Sequence, residues 1–200
     1  MRSTITTPPR SRTRRVRAAA ILIAAVIVTT VCAHLVITQY DTVRAPAAAS
    51  ESGPLGDDDG LIETGESISP FADELPAIAR LDPALREAMQ AAATAALADG
   101  FEFVVTSGWR SERYQQALFD EAVAEYGSTE ARRLVATSTT SAHVTGQAVD
   151  IGYTDANSWL SQHGADYGLC QIYANEMWHF EFATTPGGEC PPQVPDASYR

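Results

Sequence analysis

Ser141-Ala142-His143-Val144-Thr145-Gly146-Gln147-Ala148-Val149-Asp150 sets a histidine and an aspartate in one short stretch, with a glycine between them. Gly146 permits a sharp turn. Ala148–Gly152 reads as a short strand, so a loop histidine and a strand aspartate can converge. Downstream, Glu176-Met177-Trp178-His179 offers a second histidine with a carboxylate three residues earlier. Upstream stands Ser107-Gly108-Trp109-Arg110-Ser111, with Gln115 following. His143, Asp150 and His179 make up the three His or carboxylate ligands typical of catalytic zinc, whose fourth position goes to water. Glu176, beside the last of them, could serve as general base toward that water. Neither H-x6-D nor E-x-x-H is specific alone. Taken singly, His143 reads as a loop histidine and Asp150 as a turn cap. Arg110 alone reads as a solvated cation, and Trp109 and Trp178 as packing residues.

The flanking sequence has the punctuation of one domain. Asp82-Pro83 is a cap followed by a first-turn proline, and the alanine-rich run after it stops at Gly100, which predicts a helix over 83–99. Phe101–Thr106 alternates and is β-rich, a strand entering the Ser107-Gly108 turn. Helices are expected over 111–126, 128–137 and 157–163, with further strands over 171–173 and 177–182. Helices and strands without a regular βαβ period indicate an α+β fold, a small antiparallel sheet with flanking helices. His163 follows a helix and fits no cluster, and Trp159 reads as helix packing.

Charge is unevenly distributed along the 200 residues. The chain has no lysine; six of its 14 arginines precede residue 18, and no acidic residue appears before Asp41. From residue 38 onward eight arginines face 25 acidic residues. So acidic a surface is a poor partner for nucleic acid, which needs clustered cations. The basic head, 1–17, suits a membrane instead. Ala18–Ile37 is apolar apart from Thr29, Thr30, Cys32 and His34. Twenty residues at 1.5 Å rise span a hydrocarbon core of roughly 30 Å. Arginines before it and acid after it orient the head inward. A single-pass membrane anchor with an extracytoplasmic C-terminal domain is the expected arrangement, with a cleaved secretory signal as its rival. Residues 38–70, with Pro46, Gly53, Pro54, Gly56 and the run Asp57-Asp58-Asp59, read as a flexible acidic linker. The globular domain is expected over 71–200.

Cys32 falls in the apolar run, leaving Cys170 and Cys190 in the exported part. In an oxidising compartment such a pair is most simply a disulfide.

The three clusters taken together resemble the zinc D-alanyl-D-alanine carboxypeptidase family, in its VanY-like branch. The family pattern S-x-H-x-x-G-x-A-x-D is met at Ser141, His143, Gly146, Ala148 and Asp150. Its E-x-W-H is met at Glu176, Trp178 and His179, and its S-G-[YW]-R-S…Q at Ser107–Ser111 with Gln115. The resemblance spans about residues 75–185 and implies the fold shared with the Hedgehog signalling domain, with a metal cleft over the sheet. It also implies one Zn2+ per chain on His143, Asp150 and His179, Glu176 as catalytic base and acid, and Arg110 as oxyanion stabiliser. Ser141 and Gln115 are implied as substrate-binding or site-shaping positions.

The activity so implied is removal of the terminal D-alanine from peptidoglycan stem peptides by a zinc peptidase tethered through its N-terminal helix. An endopeptidase or L,D-carboxypeptidase of the same fold is the enzymatic alternative. A non-catalytic wall-binding module with structural zinc fits less well, because structural zinc is normally closed by four protein ligands.

Overall fold

The computed structural model describes residues 53–199. The expected basic head at 1–17, the anchor at 18–37 with Cys32 and His34, and the start of the linker lie outside the described residues. Among the described residues no helix is long and apolar enough to cross a membrane.

Among the described residues five α-helices and four strands follow in chain order: α1 (Pro76–Ala79), α2 (Pro83–Ala98), β1 (Val104–Ser107), α3 (Glu112–Tyr126), α4 (Ser128–Leu134), β2 (Ala148–Gly152), α5 (Thr154–His163), β3 (Leu169–Gln171) and β4 (His179–Phe182). The strands form one antiparallel sheet in the order β1-β2-β4-β3. Asp82 caps α2, its carboxylate accepting from the Ala84 N–H at 2.9 Å. Ser111 caps α3 by accepting from Tyr114 N–H. Leu85, Met89, Ala92 and Ala96 form one stripe of α2 at helical spacing. They are buried with Val105, Val149, Ile151 and Phe180 of the sheet. Val149 and Ile151 point into this core, so Asp150 between them points to the opposite face.

Several element boundaries differ from the sequence reading: β1 starts at Val104 rather than Phe101, α4 ends at Leu134 rather than 137, and β4 starts at His179 rather than 177. Helix α5 begins at Thr154, three residues earlier than expected, with Ala156 and Asn157 already buried. Strand β3 ends at Gln171 because its partner β4 pairs Leu169 with Phe182 and Gln171 with Phe180. Tyr173 has already left the sheet and bridges in parallel to Val194. His163 stacks on Trp159 with ring centroids 4.6 Å apart.

The larger difference lies at the linker, whose expected extent reached residue 70. Residues 56–68 are packed onto the domain. Ile68 exchanges two backbone hydrogen bonds with Val105, at 2.9 and 2.8 Å. Ile62 and Ile68 cover the edge of the core. Asp59, in a 3-10 turn over Asp57–Asp59, is 3 % exposed and bonded to Ser111 and Arg113. The acidic composition signals solvation, but one paired carboxylate and two isoleucines offset the ordering entropy here.

Cys170 and Cys190 form the expected disulfide, with Cα atoms 5.6 Å apart. The bridge joins β3 to the C-terminal tail, where Asp196 accepts from Arg133 Nε at 2.9 Å. Closing a loop of sequence separation 20 is worth about 3 kcal/mol in the chain-entropy model. Replacing both cysteines with alanine is therefore expected to lower unfolding stability by about that amount in a urea titration. An unchanged midpoint and slope would show that the bridge contributes nothing.

Candidate metal centre

The register of the sheet builds two thirds of the site. Asp150 on β2 lies directly opposite His179 on β4, a cross-strand pair whose side chains share a face. His143 reaches the same point from the loop before β2. That loop turns at Gly146, where φ is +72° and an added Cβ would sit 2.5 Å from the Arg80 carbonyl oxygen. The Gly146 carbonyl in turn accepts from the Asp82 N–H at 2.8 Å, tying the loop to the start of α2. Substituting Gly146 would strain the backbone and displace His143 together.

His143 Nε2, Asp150 Oδ1 and His179 Nδ1 converge. His143 Nε2 lies 3.2 Å from His179 Nδ1 and 3.4 Å from Asp150 Oδ1, and the remaining edge is 3.2 Å. Tetrahedral zinc with ligands at about 2.0–2.1 Å has donor atoms about 3.3–3.4 Å apart. The triangle therefore matches one face of such a polyhedron, and two imidazole nitrogens with one carboxylate oxygen are donors that suit zinc.

Each donor is aimed by a partner behind it. His143 Nδ1–H donates to the Gly108 carbonyl at 2.8 Å, which leaves Nε2 with its lone pair toward the centre. His179 Nε2–H donates to Glu181 at 3.1 Å. Asp150 Oδ2 accepts from Arg110 Nη2 at 2.9 Å, leaving Oδ1 for the centre. Glu181 was not singled out in the sequence. The available signal was its position two residues after His179 on one strand, hence on the same face. The Tyr173 ring, 4.9 Å from that of His179, is a second neighbour not anticipated.

Burial and charge set the protonation states. Burial lowers the His143 pKa, with the Arg110 charge adding to it, so this imidazole is neutral at neutral pH. Burial pushes Asp150 upward, but His143, His179 and Arg110 outweigh it and hold the carboxyl well below the ordinary range. For His179 burial acts downward, yet hydrogen bonds from its ring to Asp150 and Glu181 raise it to about 9. Glu176 Oε2 lies 3.8 Å from His179 Nδ1. Its pKa is raised to about 7, chiefly by burial and further by the Asp150 charge, against the attraction of His179 and Arg110.

Arg110 is braced on three sides. Its Nε donates to Ser107 Oγ at 2.6 Å, one terminal nitrogen to Gln115 Oε1 at 3.1 Å, and the other to Asp150. A guanidinium has five N–H donors, so two remain for the cleft. Gln115 is 1 % exposed and its amide nitrogen donates to the Ala136 carbonyl at 2.8 Å. Both ends of that side chain are thus committed to the protein, one of them to Arg110. Ser141, also buried, lines the cleft beside His143. The cleft itself has a volume of about 330 Å³, with Trp178 and Tyr126 on its walls alongside Glu176 and Arg110.

Comparison with known proteins agrees with this chemistry. A family model described as VanY, D-alanyl-D-alanine carboxypeptidase, matches residues 78–187, which include all of these cleft residues. The chain belongs to the VanY family. A D-alanyl-D-alanine carboxypeptidase of Enterococcus faecalis is 32 % identical over 129 residues, covering 52 % of this chain and 48 % of that protein. The putative carboxypeptidase YodJ of Bacillus subtilis is 28 % identical over 119 residues, covering 48 % and 44 %. The chain thus spans about half the length of the curated relatives it matches. Among solved structures, a mutant of the vancomycin resistance D,D-pentapeptidase VanY in complex with Zn(II) superposes with a TM-score of 0.50 at 28 % identity. That match covers 58 % of this chain and 77 % of the other. As a VanY-family member with these converging donors, the protein has a site that fits zinc.

Proposed function

We propose that this VanY-family protein is a zinc-dependent D-alanyl-D-alanine carboxypeptidase. It holds one zinc ion per chain and removes the terminal D-alanine from peptidoglycan stem peptides. The observation that carries this reading is the meeting, in one cleft, of three converging donors, a partly buried carboxylate and a braced guanidinium. His143, Asp150 and His179 would hold the ion, which would supply Lewis acidity toward the scissile carbonyl and a neighbouring water.

The protein's own groups account for the rest of the chemistry. The Glu176 carboxylate takes a proton from the attacking water, a role suited to a pKa of about 7. It then returns that proton to the nitrogen of the leaving D-alanine. Arg110 turns its two remaining N–H donors toward the carbonyl oxygen as negative charge builds there. Ser107, Gln115 and Asp150 already fix the guanidinium, so it need not reorganise during the reaction. Gln115 therefore acts through Arg110, and Ser141 borders the bound peptide. The buried neutral His143 and the ionised Asp150 stand ready as donors without losing a proton.

The same reading has the domain exported and tethered by residues 18–37, within reach of the cell wall. A disulfide is supporting evidence, since such bonds persist in oxidising compartments. The test is incubation of the purified chain with a defined pentapeptide stem, with and without chelator. Released D-alanine that disappears on chelation and returns with zinc is the expected result. Cleavage at an internal bond, or of a tetrapeptide only, would replace this reading with the endopeptidase or L,D-carboxypeptidase one. Turnover indifferent to chelator would overturn the metal assignment.

A further inference from the structure

Asp59 lies well before the family match begins at residue 78, yet it is bonded directly to the loop that carries Arg110. Its Oδ1 accepts from Ser111 Oγ at 2.7 Å and from Arg113 Nε at 2.6 Å, and its Oδ2 accepts from the other side of the Arg113 guanidinium and from the Gly56 N–H. Its backbone carbonyl accepts from the Ser111 N–H at 2.9 Å. The next residue, Gly60, has φ +77°, and a Cβ there would fall on the carbonyl oxygen of Trp109. The turn at Asp57–Asp59 with Gly60 thus sits against Trp109 and Ser111, the two neighbours of Arg110 in the chain.

The other side of that loop is held as well. The Arg110 N–H donates to the His143 carbonyl at 3.2 Å, and Trp109 Nε1 donates to the Val144 carbonyl at 3.1 Å. The Arg110 loop is clamped between the metal-site loop and the turn containing Asp59. The buried carboxylate binds the side chain of Ser111 just after Arg110 and that of Arg113 in the first turn of α3. Gln115, the acceptor for one terminal nitrogen of Arg110, is one half-turn further along that helix. Asp59 therefore sets the start of α3, and with it the acceptor that orients the guanidinium.

We propose that Asp59 is a positioning residue for the reaction: through Ser111 and Arg113 it fixes the loop and helix start that aim Arg110 into the cleft. The segment before the family domain is then part of the catalytic scaffold as well as a spacer. This inference rests on the carboxypeptidase reading for the role of Arg110, but the placement of the loop can be read separately.

The test is a double-mutant cycle on the full-length chain. Asp59→Asn keeps the shape and weakens the acceptor. It is expected to lower kcat about tenfold, as small misplacements of a catalytic group do, with zinc content and KM nearly unchanged. In an Arg110→Ala background the same substitution is expected to change kcat less than about twofold, because the two act as one unit. A purely structural role predicts the full loss in both backgrounds, and that result would overturn the proposal. So would an unchanged kcat in Asp59→Asn. Should that variant not fold, Arg113→Gln carries the same cycle. Hydrogen exchange across residues 107–114 gives the second readout: faster exchange at Ser111 and Tyr114 in Asp59→Asn supports the proposal, and unchanged exchange overturns it whatever the activity. A wild-type chain that released no D-alanine would instead count against the carboxypeptidase reading.

Discussion

Glu176→Gln is expected to lower kcat about 10³–10⁴-fold while leaving zinc content unchanged. The magnitude follows from what general acid–base catalysis contributes, because in the proposed mechanism this one carboxylate would handle the proton twice, at water attack and at departure of the amine. Zinc is retained because the three converging donors are His143, Asp150 and His179, and Glu176 stands 3.8 Å from the nearest of them. The amide keeps the volume, so the cleft wall between Tyr173 and Trp178 is not emptied. The pH profile supplies an independent check. A base works only when ionised, and burial raises the Glu176 pKa to about 7. Activity of the wild-type protein should therefore fall as pH drops through about 7, or somewhat lower because a bound cation adds to the attraction on the carboxylate. The residual activity of Glu176→Gln should lack that acid limb. Normal turnover in the variant, or the same limb persisting in it, would remove Glu176 from the role of base.

Much of this centre could be read from the sequence because its parts are short and local. The turn at Gly146 and the strand at Ala148–Gly152 are written in consecutive residues, and so is the carboxylate preceding His179. Helix α2 was equally legible, since a capping aspartate, a first-turn proline and a terminal glycine each act within a few residues. What the sequence does not display is register. That Asp150 sits opposite His179 depends on how β2 and β4 slide against each other, a choice made by the burial of Val149, Ile151 and Phe180 on the other face. Tyr173 becomes a neighbour of His179 only once the sheet has formed, whereas Glu181 shares the face of His179 by alternation along one strand.

Asp59 was illegible for a different reason. An aspartate triplet flanked by glycines has the composition of a solvated tether. Its actual partners, Ser111 and Arg113, are more than fifty residues away. Composition reports the average tendency of a segment, and here a single side chain departs from it. The boundary of the domain consequently lies well before residue 71, although Pro46 to Gly60 reads as one continuous stretch of turn-forming and acidic residues.

The largest effect is expected at the metal itself: His179→Ala should reduce zinc affinity by more than about 100-fold and take carboxypeptidase activity with it. Removing this side chain leaves two of the three converging donors. It also removes the imidazole N–H that donates to the buried Glu181 carboxylate, an additional cost. Glu181→Gln is the informative contrast. It keeps all three donors and alters only the acceptor behind His179, so a loss of about 10–100-fold in zinc affinity is expected, as for other residues that orient a ligand from behind. The order of the two losses carries the argument. If the imidazole is the donor and the carboxylate its support, His179→Ala must cost more than Glu181→Gln in zinc titrations monitored by elemental analysis. It must also be unrescued by added zinc at concentrations that restore Glu181→Gln. Equal losses would mean that the ring serves mainly to bury the two carboxylates. Wild-type zinc content in His179→Ala would overturn the assignment of this imidazole as a donor, although no other cluster of three such donors lies close together among the described residues.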